Sequence, residues 1–345
     1  MSEFKVNTIT NRTGSHGPQV CGITTFGSSG MTLPSGPTEF RGGRGRGIFD
    51  SGATPSSTNV IDMIEIATTG NAVDFGDDVH SRQEGHAAFA SATRGVMAGG
   101  LTPTILTSIT YVTISSAGGA NDFGDLRSTN TANGGGSNNT RGLLYGGNNP
   151  DYLSSIVQFN LQSLGTDSDF GTVFEGTALR NVATATSPTR AVFGGGDTGS
   201  ATSLIAFREI ASGGTVFKFG ELTYAANGHE RVSSSTRGIF AGGKAPSGPL
   251  CVTNMDFVTI ASEGNGQDFG DLTQGRRNIS GNSNSIRGTF AGGTTAASGA
   301  GIGNVNTIDY ITIASTGNAT DFGDLLKAIR VSNMGGSDSH GGIGE

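Results

Sequence analysis

Tryptophan is absent from this chain of 345 residues, cysteine occurs twice, and charged residues make up only 14% of it. Each shortage excludes something. Without Trp the sialidase-type aspartate box, which combines Ser, Asp, Gly, Thr and Trp, cannot be built. Cys21 and Cys251 are too few for a disulfide framework, and nothing in the sequence pairs them. The histidines, His16, His80, His86, His229 and His340, show no metal-ligand spacing. Neither a Gly-x-Ser-x-Gly elbow nor a phosphate-binding loop is present. No apolar stretch approaches the roughly 20 residues of a membrane-spanning helix. Met1-Ser2-Glu3-Phe4-Lys5 lacks the apolar core of a secretory signal. The reading is a soluble chain made in a cytosol, without membrane insertion, which must leave by lysis or as part of a particle if it acts outside a cell. A net charge of −7 and a pI near 5.2 argue against nucleic acid as a partner.

What the chain has in abundance is glycine, 59 residues of it, and repetition. Asp-Phe-Gly or a close variant recurs around Phe75, Phe123, Phe170, Phe219, Phe269 and Phe322, at steps of 48, 47, 49, 50 and 53 residues. A second marker, an arginine opening a short apolar run, keeps the same beat at Arg46, Arg94, Arg141, Arg190, Arg237 and Arg287. Two markers in phase over six copies are the signature of a propeller or a solenoid. Units begin near residues 40, 93, 140, 189, 236 and 286. Apolar residues placed periodically exclude the disorder that this much glycine would otherwise suggest.

The last unit shows the content of one copy. Ile286-Arg287-Gly288-Thr289-Phe290-Ala291-Gly292-Gly293 reads as a short strand ending in a glycine pair. The β-branched and aromatic Thr307-Ile308-Asp309-Tyr310-Ile311-Thr312-Ile313 is a second strand. A Gly/Asn turn leads into Asp321-Phe322-Gly323, and a polar strand such as Arg276-Arg277-Asn278-Ile279-Ser280 precedes the next arginine. Four short strands with no room for a helix make a propeller blade. The sequence therefore predicts an all-β, six-bladed β-propeller over residues 40–345, with residues 330–339 as the last strand of the sixth copy and a short tail after it.

Within that ring the glycine pair is expected on the innermost strand, where backbones crowd. The repeated Phe is expected to fill the wedge between blades. The six arginines are expected to pair with the carboxylate after each Phe-Gly: Asp77, Asp125, Asp271 and Asp324, with Glu221 in the fourth copy and Thr172 interrupting the third. Asp-Phe-Gly is also the magnesium motif of kinases, but that chemistry uses one copy with a catalytic loop and a strand lysine. Arg41-Gly42-Gly43-Arg44-Gly45-Arg46 resembles an RNA-binding box, yet Arg46 is in register with the other copies. Asp167-Ser168-Asp169 offers carboxylates to calcium without the usual twelve-residue loop. No catalytic residue, cofactor or metal is assigned, and the chain reads as not an enzyme.

Residues 1–39 stand outside the repeat. Phe4-Lys5-Val6-Asn7-Thr8-Ile9-Thr10 alternates like a strand, Cys21-Gly22-Ile23-Thr24-Thr25-Phe26 reads as another, and an extended arm of this kind adds to another chain. Val6, Ile9, Ile23 and Phe26 are its candidate partner-binding residues. This arm, the Pro34-Ser35-Gly36-Pro37-Thr38 link and the kelch-like Arg-Gly-x-Phe-Ala-Gly-Gly units resemble virion structural proteins of tailed phages, those infecting marine cyanobacteria above all. The resemblance spans nearly the whole chain. It implies a non-enzymatic, multi-copy component of the virion, on the tail or its fibres, made in the host cytoplasm. It would be attached to other virion proteins through residues 1–39 and would display the propeller. The alternative reading is a tail module that binds a host-surface glycan through loops such as 244–250 and 294–305, which vary between copies.

Overall fold

The computed structural model describes residues 26–27, 30–31, 45–54, 56–247, 251–295, 303–329 and 335–344. It is all-β: six antiparallel blades in a ring, a six-bladed β-propeller, each blade with four main strands and blade 2 with an added two-residue strand, Thr104–Ile105. Strands are labelled a to d from the axis to the rim. Blade 2 shows the pattern: Glu84–Ala90 (a), Arg94–Thr102 (b), Ser108–Thr113 (c) and Asn121–Asp125 (d). Blades 3 to 6 repeat it with a strands at Gly134–Ser137, Ala183–Thr186, Glu230–Ser233 and Ser280–Ser283.

The repeated arginine begins strand b in every blade, and the Asp-Phe-Gly tripeptide lies on strand d. The polar segment before each arginine is therefore strand a, the innermost. This corrects the phase read from the sequence, which had placed the glycine-pair strand at the axis. It also corrects the reading of the C-terminus as the last strand of the sixth copy. Gly335–Ser337 pairs with Arg46–Thr54 and supplies strand a of blade 1, whose b, c and d strands come from the other end of the repeat. The ring is closed by its own two ends, and closure removes the exposed sheet edges that an open array would present.

Strand a is made of small residues in blades 1, 3, 4 and 6, and neighbouring a strands pack on one another around the axis. Gly135 is an example: a Cβ there would stand 2.6 Å from the Ala87 methyl in blade 2. The glycine pairs have a different task. Gly242 and Gly243 follow strand b with φ of 66° and 100°, a conformation that favours glycine. The Gly243 N–H then donates to the Arg276 carbonyl at 2.7 Å, on the segment entering the next blade.

Large apolar side chains fill six clusters, each spanning two neighbouring blades. Phe75, Phe123, Phe170, Phe219, Phe269 and Phe322 are all buried, one per cluster. Phe322 of blade 6, for instance, packs with Ile64, Ile66 and Ala72 of blade 1.

Of the N-terminal arm, Val6, Ile9 and Ile23 lie outside the described residues. Phe26–Gly27 pairs with Gly30–Met31 in a two-stranded ladder of its own. Of the two variable loops, residues 248–250 and 296–302 lie outside the described residues as well.

Candidate functional site

The repeated polar residues converge on the seams between blades. Each repeat arginine reaches across one seam and donates from Nη1 to the carbonyl that follows strand c of the next blade. The acceptors are Ile114 for Arg46, Leu161 for Arg94, Ile210 for Arg141, Ile260 for Arg190, Ile313 for Arg237 and Ile66 for Arg287, at 2.7–3.2 Å. Among the described residues, five of the six guanidiniums, all but that of Arg46, also lie over an aromatic ring of their own blade, as Arg237 does 4.4 Å from the Phe257 centroid. The expected pairing with Asp77, Asp125, Asp271, Asp324 and Glu221 is corrected. Asp125 and Asp271 accept from Thr107 and Thr253, and Glu221 from Ser203 and Lys218. Among the described residues the repeat arginines' ion pairs are Arg46–Glu65 and Arg190–Glu209, within their own blades.

The Asp-Phe-Gly tripeptide performs three local tasks at once. The Asp74 carboxylate accepts from the Gly76 N–H two residues on, setting the turn of the strand. The Phe side chain fills the seam, while its carbonyl accepts from a glycine N–H of the next blade: Phe269 from Gly317 at 2.7 Å, Phe75 from Gly118 at 2.8 Å. The glycine sits at a bulge with positive φ, +138° at Gly270, and an ideal Cβ there would stand 2.5 Å from the Gly317 carbonyl oxygen.

A second set of seam contacts went unread in the sequence. Asp62, Asp256 and Asp309 on strand c accept from the backbone N–H of Leu326, Thr223 and Thr273 in the preceding blade, at 3.0, 2.6 and 3.2 Å. Burial pushes the Asp62 carboxyl up to about 6 and raises that of Asp256. Asp309 also pairs with the buried Arg276 at 2.6 Å. The signal was available, since Ile61-Asp62-Met63, Met255-Asp256-Phe257 and Ile308-Asp309-Tyr310 align, but it sits inside strongly β-forming runs.

Between blades 1 and 2 lies a buried charge cluster. Arg82 pairs with Asp78, stands 3.7 Å from Asp50 and donates to the Thr110 hydroxyl at 3.0 Å. His86 Nε2 is 2.9 Å from Asp50. Burial drives the two carboxyls and the imidazole toward their neutral forms: Asp50 and Asp78 rise to about 6, and His86 falls well below its ordinary value.

The axis is filled. Arg231 donates to the Thr184 and Gly135 carbonyls, each at 3.1 Å, and pairs with Glu230. The tail, expected to be a mere extension, turns back over this end of the ring. His340 Nε2 lies 2.9 Å from the Ala90 carbonyl, and burial pushes the imidazole down to about 4. A cavity of about 30 Å³ remains among the a strands, room for a water and not for a substrate.

One seam departs from the others. Between blades 3 and 4 the Gly214 N–H does not reach the Phe170 carbonyl, although the corresponding bond is made at the other five seams. A Cβ on Gly171 would find its first neighbour, the Gly214 oxygen, at 3.3 Å. Gly270→Ala is accordingly expected to lose about 2 kcal/mol more stability than Gly171→Ala. Both substitutions carry the strain of positive φ, but only the methyl added at position 270 would be driven into fixed backbone. Equal losses in paired denaturant titrations would refute this.

No family model matches the chain, and no curated protein resembles it significantly in sequence.

Proposed function

We propose that this chain is a non-enzymatic structural protein of a tailed-phage particle, held by residues 1–39 and displaying the six-bladed ring. The observation that carries the reading is the closure. All six blades have their four main strands, and the innermost place of blade 1 is taken by Gly335–Ser337. Residues 1–39 therefore have no vacancy to fill in the ring. The repeated Arg, Phe, Asp and Gly act at the seams, where they hold blades together, which suits a durable multi-copy component of a virion. The resemblance of the arm to phage structural proteins gives the particle.

The test is a chain lacking residues 1–39. The melting temperature is expected to stay within about 2 °C of the full chain, since none of the seam contacts described above involves residues 1–39. The truncated chain is expected to be absent, by mass spectrometry, from particles assembled in its presence. Incorporation at the full-length level would refute the role of the arm, and a large fall in melting temperature would refute its independence of the ring.

A further inference from the structure

We propose that the loosely closed seam between blades 3 and 4 binds a sugar acid, whose carboxylate completes the buried guanidinium of Arg208. The site goes beyond the display role and does not depend on it.

Arg208 occupies a place that is apolar in every other blade. The partner across the ladder from the residue after the repeat arginine is Ile64, Val112, Phe159, Val258 or Ile311 in the other blades, and Arg208 in blade 4. All six are buried, Arg208 at 1% exposure. An apolar side chain would complete the seam, as it does five times over. The arginine instead carries a charge into it, and burial holds that charge below its ordinary stability.

Among the described residues no carboxylate pairs with the guanidinium; the Asp169 charge acts on it from beyond ion-pair distance. Nη2 donates to the Gly214 carbonyl at 3.1 Å, while Nε and Nη1 have no hydrogen-bond partner among the described residues. Its face lies 4.0 Å from the Phe170 centroid, and Arg141 covers the same ring at 5.2 Å. Two cations thus share one aromatic ring, and among the described residues neither makes an ion pair. The arrangement partly compensates the buried charge without neutralising it.

The seam beside Arg208 is the least tightly closed of the six, since a Cβ on Gly171 meets backbone only at 3.3 Å where its counterparts meet it at 2.2–2.5 Å. The terminal edge of the guanidinium faces Gly171, with Nη1 at 3.5 Å and Nη2 at 3.9 Å from where a Cβ would stand. The backbone bond that would shut this seam is the one not made. A surface groove of about 390 Å³ runs over it, lined by Thr172, Val173, Glu175, Thr215 and Val216 with glycines 171, 176 and 214. The sequence departs from the repeat on both walls. Thr172 replaces the usual acid, a single turn of 3₁₀ helix, Phe174–Gly176, follows it, and Gly213-Gly214 forms the facing loop.

A carboxylate that parts Gly171 from Gly214 would meet the terminal edge of the guanidinium, where Nη1 is unpartnered and Nη2 holds only the Gly214 carbonyl. The groove is larger than a lone carboxylate side chain needs and within the range of small-ligand sites. The Thr172 and Thr215 hydroxyls of the groove and the exposed Glu175 on its rim suit the hydroxyls of a sugar ring.

The test uses the full chain and D-glucuronate, with D-glucose and acetate at matched ionic strength as controls. Glucuronate is expected to raise the melting temperature, with glucose and acetate giving less than a third of that shift. Arg208→Ile restores the residue type of the other seams. It is expected to melt a few degrees higher without ligand and to bind glucuronate at least tenfold more weakly by calorimetry. An Arg208→Ile chain that melts well below wild type would make Arg208 a structural residue and overturn the proposal. So would undiminished glucuronate binding in that variant. A response to acetate equal to that of glucuronate would mean a bare anion site, and a response to a short polyglutamate alone would assign the seam to a protein partner; either result overturns the sugar-acid assignment.

Discussion

A chain ending at residue 334 is expected to lose the folded ring, yielding aggregate or a monomer that melts at least about 10 °C lower. The missing segment holds at least four contacts. Gly335–Ser337 pairs along strand b of blade 1, and the Ser337 hydroxyl donates to the Ser283 carbonyl of blade 6 at 2.5 Å. The Asp338 carboxylate accepts from the Arg46 N–H at 3.0 Å, and His340 reaches Ala90 in blade 2. Without them the Arg46–Thr54 strand becomes a long, exposed edge facing an emptied core, the arrangement that recruits other chains. Size-exclusion chromatography and a thermal melt decide the matter. A truncated chain that elutes as a monomer and melts within about 2 °C of wild type would mean that the ring does not depend on this closure. The contrast with removal of residues 1–39 matters, because both deletions take an end of the chain and only one takes a strand of the ring.

The blade number was legible in the sequence because six copies of Asp-Phe-Gly kept step with six arginines, and a four-strand unit leaves no freedom in how many blades result. The phase within a blade was not. Arg276-Arg277-Asn278-Ile279-Ser280 lies between two units and reads equally well as the end of one or the start of the next. A repeat carries no mark of where a blade begins, and only the pairing of Gly335 with Phe49 reveals it. The arginine partners were illegible for another reason: a backbone carbonyl has no side-chain signature, so the nearest repeated carboxylate was read in its place. Arg208, by contrast, was readable in principle. Phe207-Arg208-Glu209-Ile210 aligns with Phe257-Val258-Thr259-Ile260, and a charge in an apolar column of a repeat marks a local departure. Attention to what the copies share passed over what one copy lacks.

Phe269→Ala is expected to destabilise the ring by about 3–5 kcal/mol, the range for a large aromatic truncated in a packed core. Phe269 is 2% exposed and lies in the seam between blades 5 and 6, among Ile239, Met255, Phe290, Ile311 and Ile313. Its ring meets Phe257 edge-on at 6.1 Å, and Phe257 in turn carries Arg237 on its face at 4.4 Å. Relaxation into the cavity is blocked on both sides. The backbone of strand d is held by the Phe269 carbonyl accepting from Gly317, and Arg237 is tied to the Ile313 carbonyl across the same seam. The void therefore persists, and the loss falls at the upper part of the range. Urea titration of the purified variant measures it. A loss below about 1.5 kcal/mol would mean that the seam collapses around the missing ring, and that the aromatic column is a convenience of packing instead of what holds adjacent blades together.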